Sequence, residues 1–210
     1  MVYKPVWIEH DGQESAGCVS ENFKAKDEML IPLERLHRAY KGRGLSETLG
    51  KMVEVEERIR YTVDFVEAVT GLQGVGTWLT MLMELDAFFL NEDRHTNNLA
   101  VLRNEKTLQF RLCPVFDNGL ALLSDNNDYP KEEDIYRCIS RVQAKPFDRD
   151  FDVQVEAAEA LYGAPLRFSF TKEDVIDIRH GLSEMYDAQV IARVERVIYE
   201  QMRKYPVYWV

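Results

Sequence analysis

The chain has 210 residues, which is enough for one domain or slightly more. Its apolar fraction of 46% is that of a globular protein with a hydrophobic core. The net charge of −10 argues against nucleic acid as a main ligand bound by direct contact, because phosphate chains usually need a basic surface. A single nucleotide, held by a metal and a few donors, remains compatible with this charge.

Targeting and redox features are few. No stretch approaches the roughly 18 consecutive apolar residues that suggest a transmembrane helix. The N-terminus lacks the basic and then apolar pattern of a signal peptide. The three cysteines (Cys18, Cys113 and Cys138) are widely spaced and form no CxxC pair, so neither a disulfide framework nor a zinc knuckle is expected. Together these features predict a cytoplasmic protein that makes no membrane contact.

The first half of the chain predicts a small β piece followed by helices. Residues 1–20 predict a hairpin, with strands at 2–8 and 17–20 around a turn at 10–13. Residues 21–31 predict a connector. Helices are predicted at 33–40 and 52–70, and a glycine-rich turn at 71–76 follows. The next helix, 78–90, is apolar nearly all round, which places it in the centre of a domain.

The second half predicts a polar loop at 91–97, a second hairpin with strands at 99–102 and 108–112, and then helices. These helices are expected near 131–140, 149–162, 171–183 and 187–204. No linker rich in Pro, Gly or Ser separates a second domain. The predicted fold class is therefore α+β and mostly helical.

Three polar side chains stand where they can converge. Asp93 and Asn98 bracket a turn at the end of the apolar helix, and Asp117 follows the second hairpin. Two carboxylates and an amide oxygen suit a hard cation such as Mg²⁺, which also keeps waters and phosphate oxygens as ligands. Phosphoryl transfer uses such a set, one Asp orienting the attacking hydroxyl and the others holding the metal. Asp and Asn are also common turn residues, and each residue alone is compatible with that simpler interpretation.

The segments Leu90-Asn91-Glu92-Asp93-Arg94-His95-Thr96-Asn97-Asn98 and Arg111-Leu112-Cys113-Pro114-Val115-Phe116-Asp117-Asn118-Gly119 carry a family resemblance. They resemble the C-terminal lobe of HipA-like serine/threonine kinases, which are the toxins of bacterial toxin–antitoxin pairs. The resemblance spans about residues 15–205. The phosphatidylinositol-kinase superfamily, which shares the Asp-Arg-His-x-x-Asn form, is similar as well.

The resemblance implies roles for particular residues. Asp93 would be the catalytic Asp, His95 a structural residue of the catalytic loop, and Asn98 and Asp117 the metal ligands in an ATP and Mg²⁺ site. Glu21 and Phe23 fall where the family has its interlobe hinge, which contacts adenine. The implied organisation is a residual N-lobe hairpin at 1–20, a hinge at 21–31 and a protein-kinase-like C-lobe at 32–210. The implied substrate is a protein hydroxyl.

The sequence departs from the family pattern at several places. Asn97 stands where HipA toxins often have Lys, and Asn118 replaces the Phe of the common Asp-Phe-Gly turn. Lys4 has no Gly-rich loop ahead of it, and the glycines at 71–76 lie between two helices and fit no P-loop spacing. An ATP-clamping N-lobe is therefore not evident. We expect the kinase to be truncated or to need an N-lobe from an antitoxin-like or other partner protein.

Two further interpretations stay open. The chain is also compatible with a catalytically inactive, kinase-fold binding or regulatory module in a toxin–antitoxin-like system. The missing clamp favours this hypothesis, and the retained Asp93, Asn98 and Asp117 oppose it. A lipid kinase is permitted by the Asp-Arg-His-x-x-Asn loop, but the sequence shows no basic amphipathic face for an anionic membrane.

Overall fold

The computed structural model describes residues 3–130 and 132–209. The predicted first strand included Val2, and the predicted helix near 131–140 began at Lys131; both residues lie outside the described ranges. The elements in chain order are β1 (Tyr3–His10), β2 (Gln13–Ser20), β3 (Glu28–Pro32), α1 (Leu33–Lys41), α2 (Leu45–Leu49), α3 (Val55–Thr70), α4 (Val75–Phe89), β4 (Ala100–Asn104), β5 (Phe110–Leu112), α5 (Ile135–Arg141), α6 (Phe151–Tyr162), α7 (Lys172–Leu182), α8 (Ala188–Lys204) and a short 3-10 helix (Pro206–Tyr208). The predicted α+β, mostly helical class is confirmed.

The N-terminal hairpin is confirmed. Strands β1 and β2 pair antiparallel from Tyr3 opposite Ser20 to His10 opposite Gln13. Asp11 and Gly12 form the turn with φ of 49° and 75°, and positive φ at both central residues is what a tight two-residue hairpin turn requires. The returning strand begins four residues earlier than predicted, because pairing extends to the turn itself.

A second sheet contains β3, β4 and β5 in that order, all antiparallel. Residues 21–31 are predicted only as a connector, and the structure adds that β3 begins within them, at Glu28. Leu30 lies opposite Leu102 on β4, more than seventy positions along the chain. A short apolar run gives little strand signal by itself, and this strand is fixed by that distant pairing.

The core forms around α4, as its apolar sequence predicts. Leu79, Met83, Ala87 and Phe88 on this helix have no exposed surface. Helix α4 packs against α6 so closely that a Cβ added at Gly76 would lie 2.3 Å from Cδ1 of Tyr162. Glycine is therefore needed there for the approach of the two helices.

The C-terminal helices confirm the predicted ones within a few residues at each end. Helix α7 begins with a capping box in which Thr171 and Asp174 satisfy each other's backbone N–H groups. Arg193 on α8 is buried and donates to the backbone oxygens of Leu123 and Tyr129. The helical tail thereby holds the segment that follows Asp117. Over the described ranges, no helix is both long and apolar enough to cross a membrane.

A buried carboxyl group with a half-buried carboxyl neighbour lies in this core. Glu84 on α4 has no exposed surface, and its Oε2 accepts a hydrogen bond of 2.9 Å from the backbone N–H of Leu166. Burial raises the pKa of Glu84 to about 8, and the neighbouring carboxyl of Glu159 on α6 adds to the rise. Burial thus favours the neutral form of Glu84 in the folded protein.

This pair makes the free energy of unfolding pH-dependent. Because the folded pKa of Glu84 exceeds its unfolded value, its contribution is full below about pH 4.5 and is lost as the pH rises through about 8. We expect Glu84→Gln, which keeps an acceptor for Leu166, to reduce the loss of stability between pH 6 and pH 9 by about 1 kcal/mol or more. Urea unfolding at the two pH values measures this. The exposed Glu156→Gln on α6 is the control, and an equal pH slope in all three proteins would contradict the assignment.

Candidate active site

The predicted catalytic loop begins where α4 ends. Leu90 closes the helix in the left-handed region, with φ of 52°. The backbone N–H of His95 then donates to the Asp93 carbonyl at 2.8 Å, and that of Asn98 donates to the His95 carbonyl at 2.8 Å. The Asn98 side-chain Nδ2 donates to the same Asp93 carbonyl at 2.9 Å. Asp93 and Asn98 are thus held at the two ends of one closed turn, as the sequence predicts.

Arg94, in the middle of this loop, is fully buried and paired with Asp86 of α4. Its Nε lies 2.8 Å from Asp86 Oδ2, and its Nη2 lies 3.0 Å from Oδ1. Asn91 donates a further bond of 2.7 Å to Asp86 Oδ1. A bidentate guanidinium–carboxylate pair of this kind has the planar geometry that Arg favours.

The remaining donors of Arg94 join the catalytic loop to the Asp117 turn. Nη1 donates to the Asn98 carbonyl at 3.2 Å and to the Phe116 carbonyl at 2.7 Å, and Nη2 donates to Asn118 Oδ1. One nitrogen therefore bonds to the backbone on both sides of the predicted metal site. The presence of Asn118, a departure from Asp-Phe-Gly, has a structural reason here, since its amide oxygen is an acceptor for the buried guanidinium.

Asp117 lies between the two residues that Arg94 holds. Its side chain is exposed and its φ is 55°, an uncommon backbone conformation for a residue other than glycine. The bonds to Phe116 and Asn118 on either side keep this conformation in place. Strain of this kind is found where the surrounding structure fixes a functional group.

Asp93 is flanked by two side chains with nitrogen donors. Lys145 Nζ lies 3.3 Å from Asp93 Oδ1, and His95 Nε2 lies 3.8 Å from Oδ2. The His95 ring makes no hydrogen bond within the described residues, and its Nδ1 is buried. His95 therefore stabilises the loop through its backbone hydrogen bonds, and the His95 ring faces the Asp93 carboxylate.

Of the two predicted hinge residues, Phe23 packs against the residue before Asp117 and Glu21 does not. Phe23 packs against Phe116, with ring centroids 6.1 Å apart, in a small cluster that includes Cys113. Its carbonyl accepts a bond of 3.0 Å from Arg111. The exposed Glu21 side chain makes no hydrogen bond or ion pair with any residue that the structure describes. The fold thus brings Phe23, but not the Glu21 side chain, into contact with the residue that precedes Asp117.

A cavity of about 560 Å³ borders the Asp117 turn. Tyr3 and Cys18 of the N-terminal hairpin form one side, and Asp86, Asn91 and Asp117 lie on the other. Its volume is within the range of small-molecule sites. Among the described residues, no group of three or more His, Cys, Asp or Glu side chains is arranged to hold a metal ion. The Asp117 carboxylate lines this cavity, and the Asn98 carbonyl accepts from the same Arg94 nitrogen as the Phe116 carbonyl beside Asp117.

Two residues that shape the site, Asp86 and Lys145, were not predicted from the sequence. Asp86 is one of two acidic residues in a largely apolar helix, and buried acidic side chains are nearly always paired, so its position was a usable signal. Lys145 lies 52 residues after Asp93, in the loop between α5 and α6. No local pattern predicts that contact, because the path of the helical tail brings the two together.

The fold is kinase-like. A solved structure described as the crystal structure of a Helicobacter pylori proinflammatory kinase, CtkA, superimposes with a TM-score of 0.61 over 97% of this chain and 77% of that chain, at 15% sequence identity. At this identity the likeness concerns the fold. No protein-family model and no curated protein matches the sequence.

The Asp86–Arg94 pair makes a strong prediction about stability. Arg94→Met leaves Asp86 buried without its partner, and we expect a loss of about 3–5 kcal/mol in the free energy of unfolding. The double variant Asp86→Asn, Arg94→Met removes the uncompensated charge and is expected to recover part of this loss. Urea denaturation measures both. The exposed Arg35→Met on α1 is the matched control, and an Arg94→Met loss no greater than that of the control would exclude the proposed role.

Proposed function

We propose that this protein is an ATP- and Mg²⁺-dependent phosphotransferase acting on a protein hydroxyl. The observation that carries the proposal is the position of Arg94, which bonds to both the Asn98 carbonyl and the Phe116 carbonyl. The loop with Asp93 and the turn with Asp117 are therefore neighbours in space. A kinase-like fold with this pair of loops is the arrangement that phosphoryl transfer uses.

The residues have distinct roles in this proposal. The Asp93 carboxylate accepts a hydrogen bond from the attacking hydroxyl and takes its proton. Lys145 holds Asp93 Oδ1, which leaves Oδ2, beside His95, for the substrate. Asn98 has its amide nitrogen fixed to the loop backbone, which leaves its oxygen as a ligand. Asn98 and Asp117 would hold Mg²⁺, which would supply charge neutralisation at the phosphates.

In this proposal the nucleotide lies beside Phe23 and the Asp117 turn. Phe23 packs beside Phe116, so the segment from 21 to 23 leads to the Asp117 turn and offers backbone groups for adenine. The cavity of about 560 Å³ between the hairpin and Asp117 adds a volume of suitable size. ATP is the nucleotide that these features and the kinase-like fold support.

A binding or regulatory module remains the second candidate. The β1–β2 sheet pairs with no further strand among the described residues, and Tyr3, Trp7, Ile8 and Val19 on it are exposed. A two-stranded sheet alone is marginally stable in water, and unpaired edges are templates for another chain. These strands would suit a partner protein, of the antitoxin-like or N-lobe-supplying kind.

The nucleotide assignment is tested by calorimetry. We expect Mg²⁺-dependent ATP binding to the wild-type chain, and its loss in Asp117→Ala, because a metal ligand is removed. EDTA should have the same effect. Asp177→Ala, an exposed acidic residue on α7, is the control and should bind normally. Absence of binding at millimolar nucleotide would defeat the proposal that this chain works as an enzyme by itself.

The catalytic assignment is tested by phosphate transfer. Asp93→Asn removes the proton acceptor, and we expect transfer to fall about 10²- to 10⁴-fold while nucleotide affinity is retained. Radiolabelled ATP, with and without the products of neighbouring genes as acceptors, measures this, with Asp177→Asn as the control. Transfer that appears only with a partner and requires Asp93 excludes a pure binding module. Equal transfer by Asp93→Asn would remove Asp93 from the mechanism.

A further inference from the structure

A second cavity, of about 280 Å³, lies on the side of the catalytic loop where Lys145 meets Asp93. Four parts of the chain form it: helix α2, helix α3, the catalytic loop and the loop before α6. Its polar lining is provided by Ser46, Arg58, His95, Thr96 and Lys145. We call it the basic pocket. Because His95 and Lys145 both approach Asp93, the pocket opens beside the carboxylate that would receive the substrate hydroxyl.

Arg58 gives the basic pocket a positive charge that the protein does not neutralise. Its Nε and Nη2 donate to the Met52 carbonyl and its Nη1 to the Phe147 carbonyl. No carboxylate in the described ranges lies within ion-pair distance of it. Each Nη nitrogen carries two N–H groups, so both keep one for another acceptor. A half-buried cation without a counter-ion is unusual in a chain with a net charge of −10.

The acidic groups near the basic pocket are already engaged. Glu34 accepts hydrogen bonds from the Ser46 backbone at 2.9 Å and the Thr96 hydroxyl at 2.8 Å, and it pairs with Arg38 at 3.4 Å. Burial opposes its ionisation, but these bonds prevail and lower the pKa of Glu34. Asp93 is paired with Lys145. Arg38 therefore neutralises Glu34, and Lys145 neutralises Asp93. Neither carboxylate is available as a counter-ion for Arg58.

We propose that the basic pocket binds an acidic side chain of the protein substrate, close to the hydroxyl that is phosphorylated. The proposal rests on the proposed function and adds a substrate class to it. The free N–H groups of Arg58 give the pocket donors for a carboxylate, whereas the Ser46 and Thr96 hydroxyls already donate to Glu34. Arg binds carboxylates through two parallel hydrogen bonds, which gives direction as well as charge. The preferred substrate is a Ser or Thr flanked by Glu or Asp.

Arg58 also stabilises the local structure, and the experiment must separate this effect from binding of the acidic side chain. Its bonds to Met52 and Phe147 connect α3 to the segment after Lys145. A loss of this brace would weaken binding of every peptide, whereas a loss of recognition would weaken binding of acidic peptides alone. The informative quantity is therefore the ratio of the dissociation constants of an acidic peptide and its neutral twin.

The probe is a capped heptapeptide with a central Ser between two Glu residues, compared with a twin that has Gln at both places. NMR titration of the full chain without nucleotide gives both dissociation constants. We expect the Glu peptide to bind about tenfold more tightly to the wild type, since bonds between charged groups are the stronger ones. The ratio should fall to near one in Arg58→Gln and fall only in part in Arg58→Lys, which keeps the positive charge but not the two parallel hydrogen bonds. Arg60→Gln, exposed on the same helix, is the matched control and should keep the wild-type ratio.

Three outcomes would overturn the proposal: equal binding of the two peptides by the wild type, an unchanged ratio in Arg58→Gln, or the same fall in Arg60→Gln. A phosphoserine twin that binds more than tenfold better than the Glu peptide would reassign the pocket to phosphate. Because no nucleotide is present, the result is independent of the kinase assignment. Loss of Mg²⁺-ATP binding in Asp117→Ala tests that assignment separately, so either proposal can fail alone.

Discussion

The geometry of the candidate site depends on one buried ion pair, between Asp86 in α4 and Arg94 in the catalytic loop. A charge without solvent must have its donors or acceptors satisfied, or its burial is strongly unfavourable. Arg94 meets this requirement by bonding to three parts of the chain: the helix, the loop and the turn before Asp117. The need to satisfy one guanidinium therefore fixes the relative position of segments more than twenty residues apart in sequence.

This arrangement separates the groups that hold the site from the groups that would act in it. Asp86 and Arg94 are buried, while Asp117 is exposed and Asp93 keeps about 29% of its side chain accessible. The positive φ of Leu90 and of Asp117 shows where the backbone deviates from relaxed conformations in order to present these groups. A rigid, buried scaffold under partly exposed oxygens is the condition under which a site can orient a substrate without rearranging its own dipoles.

The sequence was informative wherever the determining contacts are local. The Asp11-Gly12 turn defines the first hairpin, the apolar run of α4 defines a central helix, and the spacing from Asp93 to Asn98 closes a turn by its own hydrogen bonds. Strand β3 was missed because its identity comes from pairing with β4. The contact of Lys145 with Asp93 and the basic pocket around Arg58 were equally beyond sequence reasoning, since they depend on how distant helices and loops pack. The roles of Glu21, Phe23, Asn98 and Asp117 in nucleotide and metal binding remain predictions.

Because Arg94 bonds to three segments of the chain, it also limits which substitutions the protein can accept during evolution. Replacing either member of the pair first passes through a variant with a buried, unpaired charge, so the two positions are expected to change together or not at all. Asp93 is partly exposed and its carboxylate pairs with the exposed Lys145, a contact of a kind that contributes little to stability, so this position is under a much weaker structural restraint. If a lineage gave up the proposed phosphate transfer, it could lose the Asp93 carboxylate and keep its fold. Asp86 and Arg94 would then be retained for longer than Asp93.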